Sequence, residues 1–165
     1  MDAKTLFDSI AYFKGLCEHN KLAIANNFFP CQCSGINSLE EVQQNLRRQT
    51  AFLAVDDTND GRTVRRGGGF FKKRTFTVFL FMRYKHGDMA DRQEKLTICR
   101  ELFRQIHSRM LRDEQDLEND MIYLNVNDVM SRELGGMFLS SCTGLYFMTD
   151  VMEPTDISYD DAEWL

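Results

Sequence analysis

Four side chains that could bind a soft metal ion lie near the start of the sequence. Cys31 and Cys33 are separated by a single residue, and Cys17 and His19 precede them. Thiolates and imidazoles are the usual ligands of structural Zn²⁺, but the paired cysteines of a zinc site are typically separated by two to four residues. Cys17 also falls on the apolar stripe of a predicted helix. The pattern therefore favours buried thiols over zinc, and no metal ligand is predicted.

Nucleophilic catalysis by a cysteine would require a base fixed beside the thiol. No pattern places one of the three histidines beside a cysteine, or a cysteine at the start of a helix, where its pKa would fall. Adjacent carboxylates occur in a predicted cap, a turn and an acidic segment: Glu40-Glu41, Asp56-Asp57 and Asp160-Asp161. Such positions favour acidic side chains for local reasons. We therefore predict a non-enzymatic protein with no catalytic residue and no cofactor.

A run of three glycines over residues 67–69 is followed by the residues FFKK. In a phosphate-binding loop, the glycines follow a strand, open a helix and end in a Lys-Ser or Lys-Thr pair. Here the glycines lead into a predicted strand, and no such pair follows them. The run is therefore predicted to form a hairpin or a flexible arm.

The charges of the chain are unevenly distributed. Residues 62–74 carry six basic side chains and no acidic one, whereas residues 150–163 carry six acidic side chains and no basic one. Cations interleaved with aromatic rings suit a phosphate backbone with stacked bases, but an acidic neighbour would also order such a segment. The net charge of −5 favours the acidic neighbour, with transient DNA contact as the alternative. The predicted interaction loop comprises Arg62, Arg65, Arg66, Phe70, Phe71, Lys72, Lys73 and Arg74.

The composition is that of a folded protein. A chain of 165 residues, 43% of them hydrophobic, can bury one core without disulfides or metals. No apolar run is long enough to cross a bilayer, and the first residues lack a secretory pattern, so no membrane contact is expected. Five scattered cysteines favour free thiols in a reducing compartment. We expect a single domain over residues 1–152 and an acidic tail over residues 153–165.

Hydrophobic periodicity predicts the helices. Apolar residues at helical spacing predict an amphipathic helix over residues 3–19 and a long helix over residues 89–111. Ser38 and Glu41 form a potential capping box for a short helix that runs to residue 48. A charged break is expected over residues 112–120.

Period-two alternation and short apolar runs predict the strands. They lie over residues 50–57 and 74–84, followed by a terminal antiparallel pair over residues 122–126 and 137–152. Residues 25–37 are expected to form a loop or a short edge strand, and residues 57–69 a mobile loop. This order predicts an α+β fold, a two-layer sandwich with a mostly antiparallel sheet and a long helix packed on one face.

Phe79 and Phe81 point to the second face of the long predicted strand. In a two-layer sandwich, that face would be exposed, and adjacent exposed rings usually acquire a cover. Either a loop of the same chain or a neighbouring subunit could provide it. Phe79, Phe81 and Trp164 of the acidic tail are therefore candidates for an oligomer interface.

The order of these elements resembles that of phage tail-terminator and tail-completion proteins. The matching parts are residues 57–73, 75–84 and 89–111, and the run CTGLYFMTDVMEP over residues 142–154. The resemblance implies a structural protein of a phage or prophage tail, a homo-oligomeric ring that terminates the tail tube and joins it to the head. It also implies other tail or connector proteins as partners, and assembly in the bacterial cytoplasm before incorporation into the virion. A nucleic-acid-binding accessory protein that uses residues 62–74 is the alternative function.

Overall fold

The computed structural model describes residues 6–135 and 141–165. These ranges contain four α-helices: α1 (Ser9–Glu18), α2 (Lys21–Ala25), α3 (Leu39–Asn45) and α4 (Met89–Asn119). They also contain one seven-stranded sheet: β1 (Phe28–Cys33), β2 (Ala51–Asp56), β3 (Asp60–Arg66), β4 (Gly69–Arg83), β5 (Tyr123–Leu124), β6 (Met130–Leu134) and β7 (Cys142–Thr155). Short 3-10 turns occur at Ile36–Ser38 and Asp161–Glu163.

The sheet is organised around two long antiparallel strands. β4 and β7 pair without interruption from Phe70 with Thr155 to Arg83 with Cys142. On the other side of β4, β2 pairs with its second half and β3 with its first half. The outer side of β7 is shared in the same way by β6 and β5. β1 pairs with β2 in parallel and forms one edge.

The two-residue period of β4 distributes its side chains between two cores. Even-numbered positions 76–82 belong to the larger core, together with side chains of α1 and α4. Phe79 and Phe81 belong to a smaller core on the opposite side, together with side chains of α3. The predicted α+β class is confirmed, with a mostly antiparallel sheet and the long helix packed on one face. The short α3 adds a partial cover on the other face.

The long helix extends further than predicted. α4 begins at Met89, as expected, but continues to Asn119 instead of ending at residue 111. The predicted break over residues 112–120 is wrong because charged residues without glycine or proline are compatible with a helix. Arg109 donates a hydrogen bond to Asp113 one turn later, at 2.8 Å. Leu117 still packs against the larger core, which anchors the last turns.

The first predicted helix corresponds to α1, which begins at Ser9. Asp8 caps it, because its carboxylate accepts a hydrogen bond from the amide of Ala11 at 3.0 Å. Residues 3–5 of that prediction lie outside the described residues.

The predicted capping box of α3 is wrong. The hydroxyl of Ser38 donates to the carbonyl of Gly35 and accepts a hydrogen bond from the amide of Ser34. Ser38 is thus engaged with the turn that precedes the helix, an ordinary competing use of a serine side chain. α3 also ends at Asn45 rather than at residue 48.

The strand predictions were right in position and incomplete in number. β1 confirms the edge-strand alternative for residues 25–37, and β2 lies within the predicted residues 50–57. β5 and β7 form the predicted antiparallel pair, although β5 has only two residues. β6 was not predicted, and residues 137–140 of the last predicted strand lie outside the described residues.

Gly144 of β7 lies against β4 with no room for a side chain. A Cβ atom at this position would lie 2.0 Å from the carbonyl oxygen of Leu80 and 2.6 Å from the Cα of Phe81. Both are backbone atoms of the central ladder, so neither can move aside without disturbing the sheet. Glycine is therefore required where the two long strands approach each other.

Gly144→Ala is expected to lower the free energy of unfolding by at least about 1–3 kcal/mol, the usual cost of overpacking. Gly15→Ala is the matched control, because a Cβ at Gly15 in α1 would meet nothing within 4 Å. Alanine should stabilise that helix by about 0.5–1 kcal/mol. Urea denaturation followed by circular dichroism measures both changes. Unchanged stability of Gly144→Ala would contradict the close approach.

Candidate association site

Residues 60–75 form a two-stranded hairpin, which we call the basic arm. β3 pairs with the first half of β4 from Asp60 with Thr75 to Arg66 with Gly69. Gly67 lies in the turn with a φ of +59°, a conformation that glycine adopts readily. The predicted mobile loop over residues 57–69 is therefore wrong, and the hairpin alternative for the glycine run is confirmed. Aromatic and β-branched residues on both strands favour this pairing.

Two of the six cations of the basic arm are neutralised by acidic residues of β7. Nζ of Lys73 lies 3.3 Å from Asp150, and Nη2 of Arg74 lies 2.6 Å from Glu153. The basic residues 62–74 and the acidic residues 150–163 therefore meet within one chain at these two ion pairs. The other four cations have no carboxylate partner among the described residues: Arg62, Arg65, Arg66 and Lys72.

Arg74 and Glu153 form the most buried ion pair in the described part of the chain, with side chains 15% and 4% exposed. Glu153 accepts a hydrogen bond from the amide of Phe7, and Arg74 donates one to the carbonyl of Phe7, both at 2.9 Å. The pair thus fastens the segment before α1 to the central strands. Arg74 was predicted to be a contact residue, and this is wrong because its guanidinium is committed to the fold.

The register of the basic arm separates its side chains onto two faces, because directly paired residues point to the same side of a sheet. Arg62 pairs with Lys73, and Val64 pairs with Phe71. These four side chains and Arg66 lie on the side of the sheet that carries α3. Arg65, Phe70 and Lys72 lie on the side of α4, where the guanidinium of Arg65 covers the Phe70 ring at 4.7 Å.

α3 covers only part of its side of the sheet. The uncovered part extends from the basic arm across β7 to β5 and β6. Met130 pairs with Met148, and Tyr123 pairs with Met152. Met130 is 48% exposed and Tyr123 is 38% exposed. We call this surface the open sheet face, and it comprises Arg62, Val64, Arg66, Phe71, Lys73, Tyr123, Met130, Arg132, Met148 and Met152. Methionine-rich surfaces adapt their shape to a partner.

Phe79 and Phe81 do not belong to the open sheet face. They are 3% and 0% exposed because they lie in the smaller core, against Leu39 and Val42 of α3. The ring of Phe81 also stacks on Phe52 with 4.8 Å between centroids. Their prediction as interface residues is wrong, and the alternative of a cover from the same chain is confirmed.

The acidic segment that follows the sheet begins later than predicted. β7 continues to Thr155, and Glu153 is buried, so the boundary lies after Thr155 rather than after residue 152. Residues 156–165 are exposed throughout, and we call them the acidic segment. Trp164 is 67% exposed and stacks on Tyr159 with 6.2 Å between centroids. The exposure of Trp164 is compatible with its predicted interface role.

The five cysteines are free, and burial raises the pKa of every thiol. The pKa rises to about 11 for Cys17 and Cys142 and to about 12 for Cys31, Cys33 and Cys99. At neutral pH the thiols are therefore protonated and poor as nucleophiles or metal ligands. Within the described residues, no group of three His, Cys, Asp or Glu side chains is arranged to hold a metal ion.

A cleft with a volume of about 570 Å³ lies between α1 and α4. Its polar lining is mutually bonded, since the hydroxyl of Tyr12 donates to Asp113 at 3.0 Å and Asn20 donates to Gln105 at 2.9 Å. Burial and the neighbouring Asp113 raise the pKa of Tyr12, so its hydroxyl stays protonated. These side chains hold the two helices together and present no acid, base and nucleophile to a common point.

No protein-family model matches the chain, and no curated protein matches its sequence. None of the described helices is both long and apolar enough to span a membrane.

Sequence reasoning missed most of the open sheet face. Residues 137–152 were treated as one apolar stretch, so the different surroundings of its alternate positions were overlooked. The even positions Met148 and Met152 are half-buried, whereas the odd positions Phe147 and Val151 are fully buried. The same alternation is visible in the sequence and could have indicated two unlike faces.

Glu153→Gln is expected to lower the free energy of unfolding by about 3–5 kcal/mol, because it leaves the guanidinium of Arg74 buried without a countercharge. Glu133→Gln removes an equally short pair with Arg100 on the surface, with side chains about half exposed. That change should cost at most about 1 kcal/mol. Urea denaturation measures the free energy of unfolding of both variants. Equal decreases in the two variants would contradict the structural role of Glu153.

Proposed function

We propose that this protein is a non-enzymatic structural protein whose copies associate into a ring in a phage or prophage tail. The ring would terminate the tail tube and join it to the head. The single observation that carries the association is the open sheet face, where exposed methionine and tyrosine side chains adjoin cations with no carboxylate partner in the described residues. The order of the basic arm, the rest of β4 and α4 resembles that of tail-terminator proteins. This resemblance alone supports a role in a phage tail.

The chemistry of the site favours association over catalysis. Aromatic, methionine and arginine side chains are enriched where proteins bind each other. Four of the five described thiols are buried, and all five are protonated. The carboxylates of Asp150 and Glu153 are engaged with lysine and arginine. Arginines at the rim of an apolar surface would accelerate encounter with an acidic partner and orient it.

The purified protein should therefore form a discrete oligomer whose mass is a multiple of 19.2 kDa, either alone or on added tail tubes. Light scattering across a concentration series and negative-stain images of rings measure this. Met130→Glu should weaken self-association at least tenfold, because it places a charge on the open sheet face.

Leu111→Glu is the control for that substitution, because Leu111 of α4 is 50% exposed and Met130 is 48% exposed. The control should associate as the unmodified protein does. A protein that stays monomeric both alone and on tail tubes would refute the proposed ring.

Nucleic-acid binding is the second candidate, and it is favoured by the four cations of the basic arm without a carboxylate partner among the described residues. Neutralising about four phosphates of duplex DNA would give a slope near −3.6 for log affinity against log salt. Arg65→Ala with Arg66→Ala should reduce the slope by about two units in fluorescence anisotropy. Arg104→Ala, which removes a cation paired with Glu101 on α4, is the control. Affinity that does not depend on salt would exclude this role.

A further inference from the structure

We propose that the acidic segment, residues 156–165, of one copy binds the open sheet face of the next copy. The inference deepens the proposed function, on which it rests, by naming the ligand of the association surface. The two surfaces lie on the same chain and have complementary chemistry.

The acidic segment has the side chains of a ligand and few of its own contacts. It carries four carboxylates and four large exposed apolar side chains: Asp156, Ile157, Tyr159, Asp160, Asp161, Glu163, Trp164 and Leu165. Its hydrogen bonds in the described structure are local, such as those from Ser158 to Asp156 and from the amide of Ala162 to Asp160. These bonds give the segment a turned shape without joining it to the sheet.

The open sheet face offers matching groups. Its centre consists of the apolar side chains Phe71, Tyr123, Met130, Met148 and Met152, with the ion pair of Asp150 and Lys73 between Met148 and Met152. Cations stand around that centre: Arg62 and Arg66 on β3 and Arg132 on β6, none with a carboxylate partner in the described ranges. An apolar patch with a cationic rim is complementary to a peptide that mixes acids with isoleucine and tryptophan.

The position of the acidic segment favours a neighbouring copy as the site of binding. Thr155, the last residue of β7, pairs with Phe70 beside the turn of the basic arm. The segment therefore leaves the sheet at the tip of the arm, and its first residues line a small cleft with Gly68 and Phe70. No ion pair joins residues 156–165 to Arg62 or Arg66 within the described chain.

Such a contact is heterologous, since the ligand and the receptor are different patches of the same subunit. Heterologous contacts produce closed rings when the rotation between copies closes, and open filaments when it does not. The proposed ligand thus accounts for a ring without any second type of interface.

Charge reversal on each side tests the contact. Arg62→Glu with Arg66→Glu makes the open sheet face acidic at its rim, and Asp161→Lys with Glu163→Lys makes the segment basic. Each double variant alone should associate at least tenfold more weakly than the unmodified protein in analytical ultracentrifugation. An equimolar mixture should recover association, because each reversed surface then meets an opposite charge on the other variant.

Lys21→Glu with Arg112→Glu is the control, because it changes the net charge as much as the face reversal does and alters exposed residues of α2 and α4. It should leave association unchanged. Circular dichroism verifies that every variant is folded.

A synthetic peptide of residues 156–165 provides a second measurement that does not depend on the variants folding. In excess, it should dissociate oligomers of the unmodified protein, whereas the same peptide with Asp161→Lys and Glu163→Lys should not.

The outcomes separate this inference from the proposed function. If the protein forms a ring and both reversals leave it intact, the segment is not the ligand and the ring stands. If the reversals weaken association but the mixture does not restore it, binding in trans is refuted. A monomer under all conditions, including with tail tubes, refutes the ring itself.

Discussion

The continuous pairing of β4 with β7 is the constraint on which the other elements depend. Every other strand except β1 pairs directly with one of these two, and both cores are built on their alternate side chains. The close approach at Gly144 sets this geometry, since a side chain there would collide with the backbone of β4. Each long strand pairs with two short strands, one after the other, on its outer side. Helices cover one half of the resulting sheet, and the other half extends beyond them.

The two halves explain which predictions succeeded. The period of β4 is visible in the sequence, so the second half of this strand was predicted correctly, and apolar residues at helical spacing predicted the start of the long helix. The short α3 was also foreseen, but its position over Phe79 and Phe81 depends on contacts distant in sequence. The arm was mistaken for a loop because glycines and clustered cations are usual in loops, whereas β3 is held by its pairing with β4. The hydrophobic period of a segment does not indicate which strand it will pair with.

The cations of the basic arm fall into two classes that serve different purposes. Lys73 and Arg74 are satisfied by acids of β7, and the buried pair of Arg74 with Glu153 also fixes the segment at Phe7. Arg62 and Arg66 lie on β3, whose other edge pairs with no described strand. Charges on an edge strand discourage unspecific pairing with the edges of other sheets. The same charges favour partners of opposite charge over other partners.

Stability and association are consequently separable in this fold. The groups that hold the domain together are buried in two cores and one ion pair, whereas the groups proposed for association are exposed or half-buried and belong to neither core. Substitutions on the open sheet face and in residues 156–165 should therefore change binding without unfolding the domain. This separation makes the charge-reversal mixture decisive, because recovery of association in a mixture of two folded but weakly associating variants requires contact between copies. An effect of either substitution on folding could not be repaired by the other variant.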